Sequence, residues 1–538
     1  MRYRSIIQVS CNRGDSHSHG GVFMKQVSIF NNVLGPVMRG PSSSHTAGSY
    51  HIGSLVRSLL GEEIKEGCIT FDADGSYGKM YQEQGSDLAF VSGLLGWDML
   101  DERFHDALTI APTLGTNICF KVDKIPHSNH PNWVEIDVRG ASGQQMRFSA
   151  QSIGGGSIVL SNVDGWDLSM TGDCWEIFVF CSGVCPEGAH AELTEMGGHF
   201  SVIEGPKGIL LRLKRPDRLS AEQSARLQAW AAPDVRIREI PPLLFPQIGA
   251  PLFQSAAELL IYANERGISL GQAGLEYEMA FLGLSRREAM DEMYRRHEIM
   301  KGAAQRGLAG KFKSPMQLLE PTAHKIFNAQ DKGSLPFGTF HTRAAARAMA
   351  IMHANGAMEV VCAAPTGGAA GALPGAVITL EEELSLNKEQ VCLALFAAGM
   401  IGVLLDTRAT FAAEVAGCQV EIGAGGAMAS AAAIEACGGS IAQALDAAAI
   451  SFQNTMGSVC DLVQGIVELP CHTRNALAAS SAFVNADLIL GGYENPVPLD
   501  ETIDAVYSVG KMLPPQLRCT SLGGLALCPS ALAMRKKR

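Results

Sequence analysis

The chain has 538 residues, a formal net charge of −11 and 14 cysteines. That length suits about three or four domains, and its interspersed acidic and basic residues form no basic stripe of the kind that neutralises a phosphate backbone, which excludes nucleic acid as a partner. The longest apolar run, Val391–Leu405, stops at Asp406, short of the roughly 18–20 residues that span a bilayer. It is expected to be a buried helix, with no membrane association. The cysteines form no compact disulfide framework and no apolar secretory core stands near the start, so a reduced, cytoplasmic compartment is expected, where thiols fill cores or ligate metal.

Residues 1–25 are polar and rich in His and Ser and read as a disordered lead-in, with Met24 a possible functional start. From 26 to 160, strand-forming stretches such as Cys68–Asp72, Asn117–Lys121 and Trp133–Val138 alternate with helical segments such as Ala47–Leu60, which predicts an α/β domain. Gly154–Gly156 marks tight backbone or the domain's end. Residues 163–242 then order themselves as strand, helix, two strands, helix, strand. This βαββαβ pattern predicts a ferredoxin-like module similar to the ACT-type sensors. Beyond a Pro-containing linker, apolar residues recur at three- and four-residue spacing and Ala, Gly and Met dominate, so 251–530 reads as a mainly α-helical C-terminal catalytic domain. The fold class is therefore multidomain.

Three cysteines keep unusual company: Gly417-Cys418-Gln419-Val420-Glu421-Ile422-Gly423, Val459-Cys460-Asp461 and Pro470-Cys471-His472-Thr473-Arg474-Asn475. Their spacing is neither a zinc knuckle nor a ferredoxin run, and any one of them alone would read as core filling. Ser42, Ser43, Ser44, His45 and Thr46 alone would read as a Ser-rich turn capping the helix that follows. The loop Ala364 to Gly371, with Pro365, Thr366, Gly367 and Gly368, permits either tight helix packing or close approach of backbone to substrate. His130 alone would read as a structural loop histidine.

Taken together, these segments resemble the iron–sulfur L-serine dehydratases. The three cysteine motifs, the Ala-Pro-Thr-Gly-Gly loop and Thr520–Ala526 are similar to the family's α portion, and Gly40–Gly48 to its β portion. The resemblance implies a [4Fe-4S] cluster on Cys418, Cys460 and Cys471, with one iron left open as a Lewis acid for eliminating water from a small amino-acid substrate. It also implies substrate contacts from Ser42–Ser44, Thr46 and Pro365–Gly368, a general base in His130 or, second, His45, and a homodimer. Cys519 and Cys528 are the candidates for a fourth ligand.

The pattern also breaks. Gln84 stands where relatives carry a histidine, and Arg408 stands where they carry Asn. If Arg408 faced the site it would favour a further carboxylate on the substrate. Serine is the expected substrate. Another β-substituted amino acid, a degenerate amino-acid-binding regulator, or zinc on the same cysteines are the competing readings.

Overall fold

The computed structural model describes residues 25–534 and Lys536. The lead-in and Met24 lie outside the described residues, Lys25 excepted. Separate sheet and helical regions are present, joined by shared cores.

A six-stranded sheet runs in the order Asn117–Asp123, Ile64–Asp72, Trp133–Gly140, Gln145–Gly154, Ser157–Val163, Trp166–Met170, with only the first pair parallel. One face is apolar because every second residue of Trp133–Gly140 and Gln145–Gly154 points inward. Helix Gly48–Leu60 packs its buried Ile52, Leu55, Val56 and Leu59 into the same core. Gly154–Gly156 is tight backbone rather than a boundary. All three glycines have positive φ and turn one strand into the next, so the sheet runs on past 160 to Met170.

The next strands form a four-stranded antiparallel sheet in the order Val235–Ile240, Trp175–Cys181, Gly208–Arg215, His199–Gly205, with helices Ala189–Glu195 and Ala221–Gln228 between strands in the chain. This is the element order expected for 163–242, except that Val163 and Trp166–Met170 belong to the larger sheet.

In the helical region, Ile422–Ala436 lies against Lys388–Arg408, Ile441–Thr455 and Cys471–Leu490. Its buried face is nearly all Ala, Gly and Ser, which lets the neighbouring backbones come close. Lys388–Arg408 is the one helix among the described residues long and apolar enough to cross a membrane, and it is buried from Val391 to Asp406 apart from Leu393. It is a core helix.

The segment from Gln26 to Leu34 differs from expectation, because it packs into the helical core and not into the α/β region. Ile29 and Val33 sit against Gly399 and Gly402 of the core helix, where any Cβ would fall 2.6 Å and 2.1 Å from their side chains. Glu278, fully buried, accepts hydrogen bonds from Ser28 Oγ and the amides of Ile29 and Phe30. Val37–Arg39 then pairs antiparallel with Val360–Cys362. These ties fix the Ser42–Thr46 segment over the helical region.

Candidate active site and metal centre

The residues around each cysteine hold the cysteine-bearing loops to one another. Gly417 has φ +76°, and a Cβ there would meet Ser458 O at 2.7 Å, so only glycine brings Cys418 this close to the loop that carries Cys460. Gln419 Nε2 donates to Ala416 O, and Gln419 Oε1 accepts from Gly457 N at 2.8 Å. Arg474, one turn into the helix Cys471–Leu490, donates to Val459 O at 2.8 Å and pairs with Asp461 at 3.0 Å. Asn475 accepts from the amides of Gly371 and Ala372 and donates to Gly368 O, which ties the 364–371 loop to the same helix.

The consequence is a buried cluster of sulfur. One ligand atom each of Cys418, Cys460 and Glu421 lie within 4.8 Å of one another. The Cys460 thiol interacts with both the Cys418 and Cys519 thiols, and Cys471 has Cys418 and Arg474 as its neighbours. All four cysteines are buried. The neighbouring Cys460 thiol and then burial push the Cys418 thiol above the ordinary range, and burial and then Cys418 do the same to Cys471, so thiolates here call for a compensating cation. A set of buried, converging soft donors fits an iron–sulfur centre or zinc and disfavours a hard oxygen-seeking ion. Cys528 is elsewhere, in a small cluster with Leu318, Val463, Ile466 and Ala531.

Ser42, Ser44, Gln84, Gly368, Glu414, Glu421, Cys460, Cys471 and Cys519 line one narrow cavity. Ser42 caps the helical turn by accepting from His45 N, and Thr46 Oγ1 donates to Gln84 O. Ser43 Oγ accepts from Gly367 N. Gly367 itself has no room for a side chain, since a Cβ would lie 2.9 Å from Ser43 N. Ser44 Oγ donates to Glu414 Oε1 at 2.8 Å and lies 2.9 Å from His45 Nδ1, while His45 Nε2 lies 3.3 Å from Ser76 Oγ. Burial lowers the His45 pKa, and Glu414 opposes that shift. Thr366 stands beside Glu421, whose carboxyl is pushed up to about 8, chiefly by burial and then by Glu414. Pro365 begins this loop after Ala364.

The structure does not gather every expected residue. His130 is half-buried, with Nδ1 accepting from Asn132 N at 3.1 Å, and it stands outside the cavity lining. Its link to the site runs through Glu414, which also accepts from Asn132 Nδ2. Arg408 is turned away. Its Nε and Nη2 donate to Asp504 at 3.0 Å and 2.6 Å and Nη1 faces Asp500, and the residue stands outside the lining of the cysteine cavity. Glu414 and Ser76 had no place in the sequence reading. The signal for Glu414 is slight: a lone carboxylate among Phe411, Ala412, Ala413, Val415 and Ala416.

Residues 225–526 match the family model described as serine dehydratase alpha chain. The chain belongs to the L-serine dehydratase family. It is 35% identical over 286 residues to the probable L-serine dehydratase alpha chain of Bacillus subtilis (strain 168), covering 53% of this chain and 95% of that one. It is 33% identical over 275 residues to the L-serine dehydratase alpha chain of Peptoniphilus asaccharolyticus, covering 51% and 94%. The probable L-serine dehydratase beta chain of Bacillus subtilis (strain 168) is also similar, 40% over 151 residues, covering 28% of this chain and 66% of that one. This dehydratase thus joins, in one chain, sequence similar to both an alpha and a beta chain. It is a serine ammonia-lyase.

Proposed function

We propose that this enzyme eliminates water from L-serine with a [4Fe-4S] cluster on Cys418, Cys460 and Cys471, and that the Ser44–His45–Glu414 network takes the Cα proton. When bound, such a cluster supplies a Lewis-acidic iron for the poor hydroxide leaving group. The carrying observation is that the cavity lined by Cys460 and Cys471 is lined as well by Ser44, hydrogen-bonded to both a buried histidine and a buried carboxylate.

Each side chain then has a distinct task. The Ser44 hydroxyl is the cavity-facing member of the network, and His45 behind it is the group that can hold a proton near neutral pH. Burial keeps His45 neutral at rest, while Glu414, 3.7 Å from Nδ1, stabilises the charged form once a proton arrives. The helix beginning at Ser43 directs its positive end at the cavity, which suits the substrate carboxylate. Glu421, neutral up to about pH 8, can donate to a departing oxygen. The enamine product tautomerises and hydrolyses to pyruvate and ammonia.

Among substrates, L-serine is favoured over anionic analogues because Arg408 is paired with Asp504. An anaerobic panel of serine, threonine, cysteine and 3-hydroxyaspartate, followed by 2-oxoacid and ammonia release, tests this. Serine should have the largest kcat/KM. Preference for 3-hydroxyaspartate would contradict the assignment.

A further inference from the structure

We propose that Cys68 and Cys119 form a reversible dithiol–disulfide site on the outer face of the six-stranded sheet, closed by exchange with a small-molecule disulfide. The site is independent of the cluster reading above. The observation behind it is strand register. Asn117–Asp123 lies parallel to Ile64–Asp72, and Cys119 is the partner of Cys68 across that pair. Residues opposed in this way project to the same face of a sheet. Ile69, the next residue along, enters the apolar core, so Cys68 points out of it. The two thiols interact, and both line one groove on that outer face.

Separation and access both suit a disulfide. Neighbouring strands lie about 4.8 Å apart, within the roughly 4.4–6.8 Å between Cα atoms that a disulfide bridges. That spacing is near the short end of the range, which favours a bond that reducing thiols reopen. Cys119 is exposed on the edge strand and Cys68 is half-buried beside it, so a disulfide arriving from solvent meets Cys119 first.

The charges around the pair permit the step. Asp137, registered with Cys68 on its other side, has its carboxylate held by Arg147 Nε at 2.7 Å. Burial and then Cys68 raise the Cys119 pKa, and Lys121 opposes the rise. The Cys119 thiolate attacks one sulfur of the small disulfide and releases the other half as a thiolate. Cys68, having lost its proton to solvent, then displaces the remaining half from Cys119. Two cysteine thiols are oxidised, and the small disulfide is reduced to two thiols. The product staples the edge strand, which pairs with the sheet along one side only, to Ile64–Asp72.

Oxidised glutathione tests this on the anaerobically reconstituted full-length chain at about pH 8.5, where more of the thiol is ionised, followed by acid quenching, alkylation and peptide mass mapping. Wild type should yield the Cys68 and Cys119 peptides joined, with alkylation lost at both residues and restored by dithiothreitol. Cys68→Ser should stop at glutathione on Cys119, the trapped first intermediate, and Cys119→Ser should give no joined peptide. Circular dichroism shows whether each variant has folded, and the mapping reads the same whether or not a cluster assembles. Treated wild type with both residues still alkylated, or with glutathione left on Cys119 and no closure, would overturn the proposal.

Discussion

Glu414 and His45 sit on either side of one hydroxyl: Ser44 donates to Glu414 Oε1 at 2.8 Å, and its oxygen lies 2.9 Å from His45 Nδ1. Glu414 holds the His45 pKa up against burial, so removing its charge lowers that pKa further. Glu414→Gln should therefore shift the acid limb of the kcat/KM profile to lower pH and reduce kcat by about 10–100-fold, a part of what general-base catalysis contributes. An acid limb that does not move would contradict the pairing.

The two histidines separate cleanly by substitution. His45→Gln should lower kcat by about 10²–10⁴-fold, the usual contribution of general acid–base catalysis. His130→Gln should lose less than about tenfold, because His130 reaches the site only through Asn132 and Glu414. Steady-state kinetics on the two reconstituted variants, with iron content matched, decides which histidine is the base.

Glu421 affects stability as well as chemistry. In the apoprotein its carboxyl stays protonated to about pH 8, whereas in the unfolded chain it ionises near the ordinary value of 4.5. Between those values the native state holds the extra proton, so this group's contribution is full below the unfolded pKa and is lost as pH rises, by up to about 1.4 kcal/mol per pH unit. Glu421→Gln should flatten the decline in apoprotein stability between about pH 5 and 8 in urea unfolding. Parallel curves for the two proteins would show that Glu421 is not held neutral.

The sequence made the cysteine motifs legible through their flanking residues, and the structure gives those residues physical tasks. Gln419 ties the Cys418 turn to Gly457, Arg474 ties Cys471 to the Cys460 loop, and Asn475 ties both to the 364–371 loop. Strand and helix positions in 175–240 were readable because the short apolar run Trp175–Cys181 and the Ser220 cap are local signals. Other features are long-range and left no local mark. Ser76 and Glu414 reach His45 and Ser44 from distant parts of the chain, and apolar character in Val27–Leu34 does not reveal which core it enters. Arg408 misled because nearness in sequence to Cys418 does not fix direction; the last turn of its helix points it at Asp504.

Asn475 is fully buried and makes four hydrogen bonds, three of them to the 364–372 segment. Asn475→Ala leaves two amides and two carbonyls without that partner, and each buried group left unsatisfied costs about 1–3 kcal/mol. The apoprotein should lose at least about 2 kcal/mol in urea unfolding. A loss below about 0.5 kcal/mol, within the range of ordinary surface changes, would mean that the loop is held by other contacts.

The central claim is the metal centre, and iron content measured on anaerobically reconstituted protein tests it most directly. Wild type should carry about four irons per chain with a broad brown absorbance, and single serine substitutions of Cys418, Cys460 or Cys471 should each lose the cluster and pyruvate formation together. Pyruvate formed from serine at the wild-type rate by iron-free protein, or by any of these three variants without its cluster, would contradict the account.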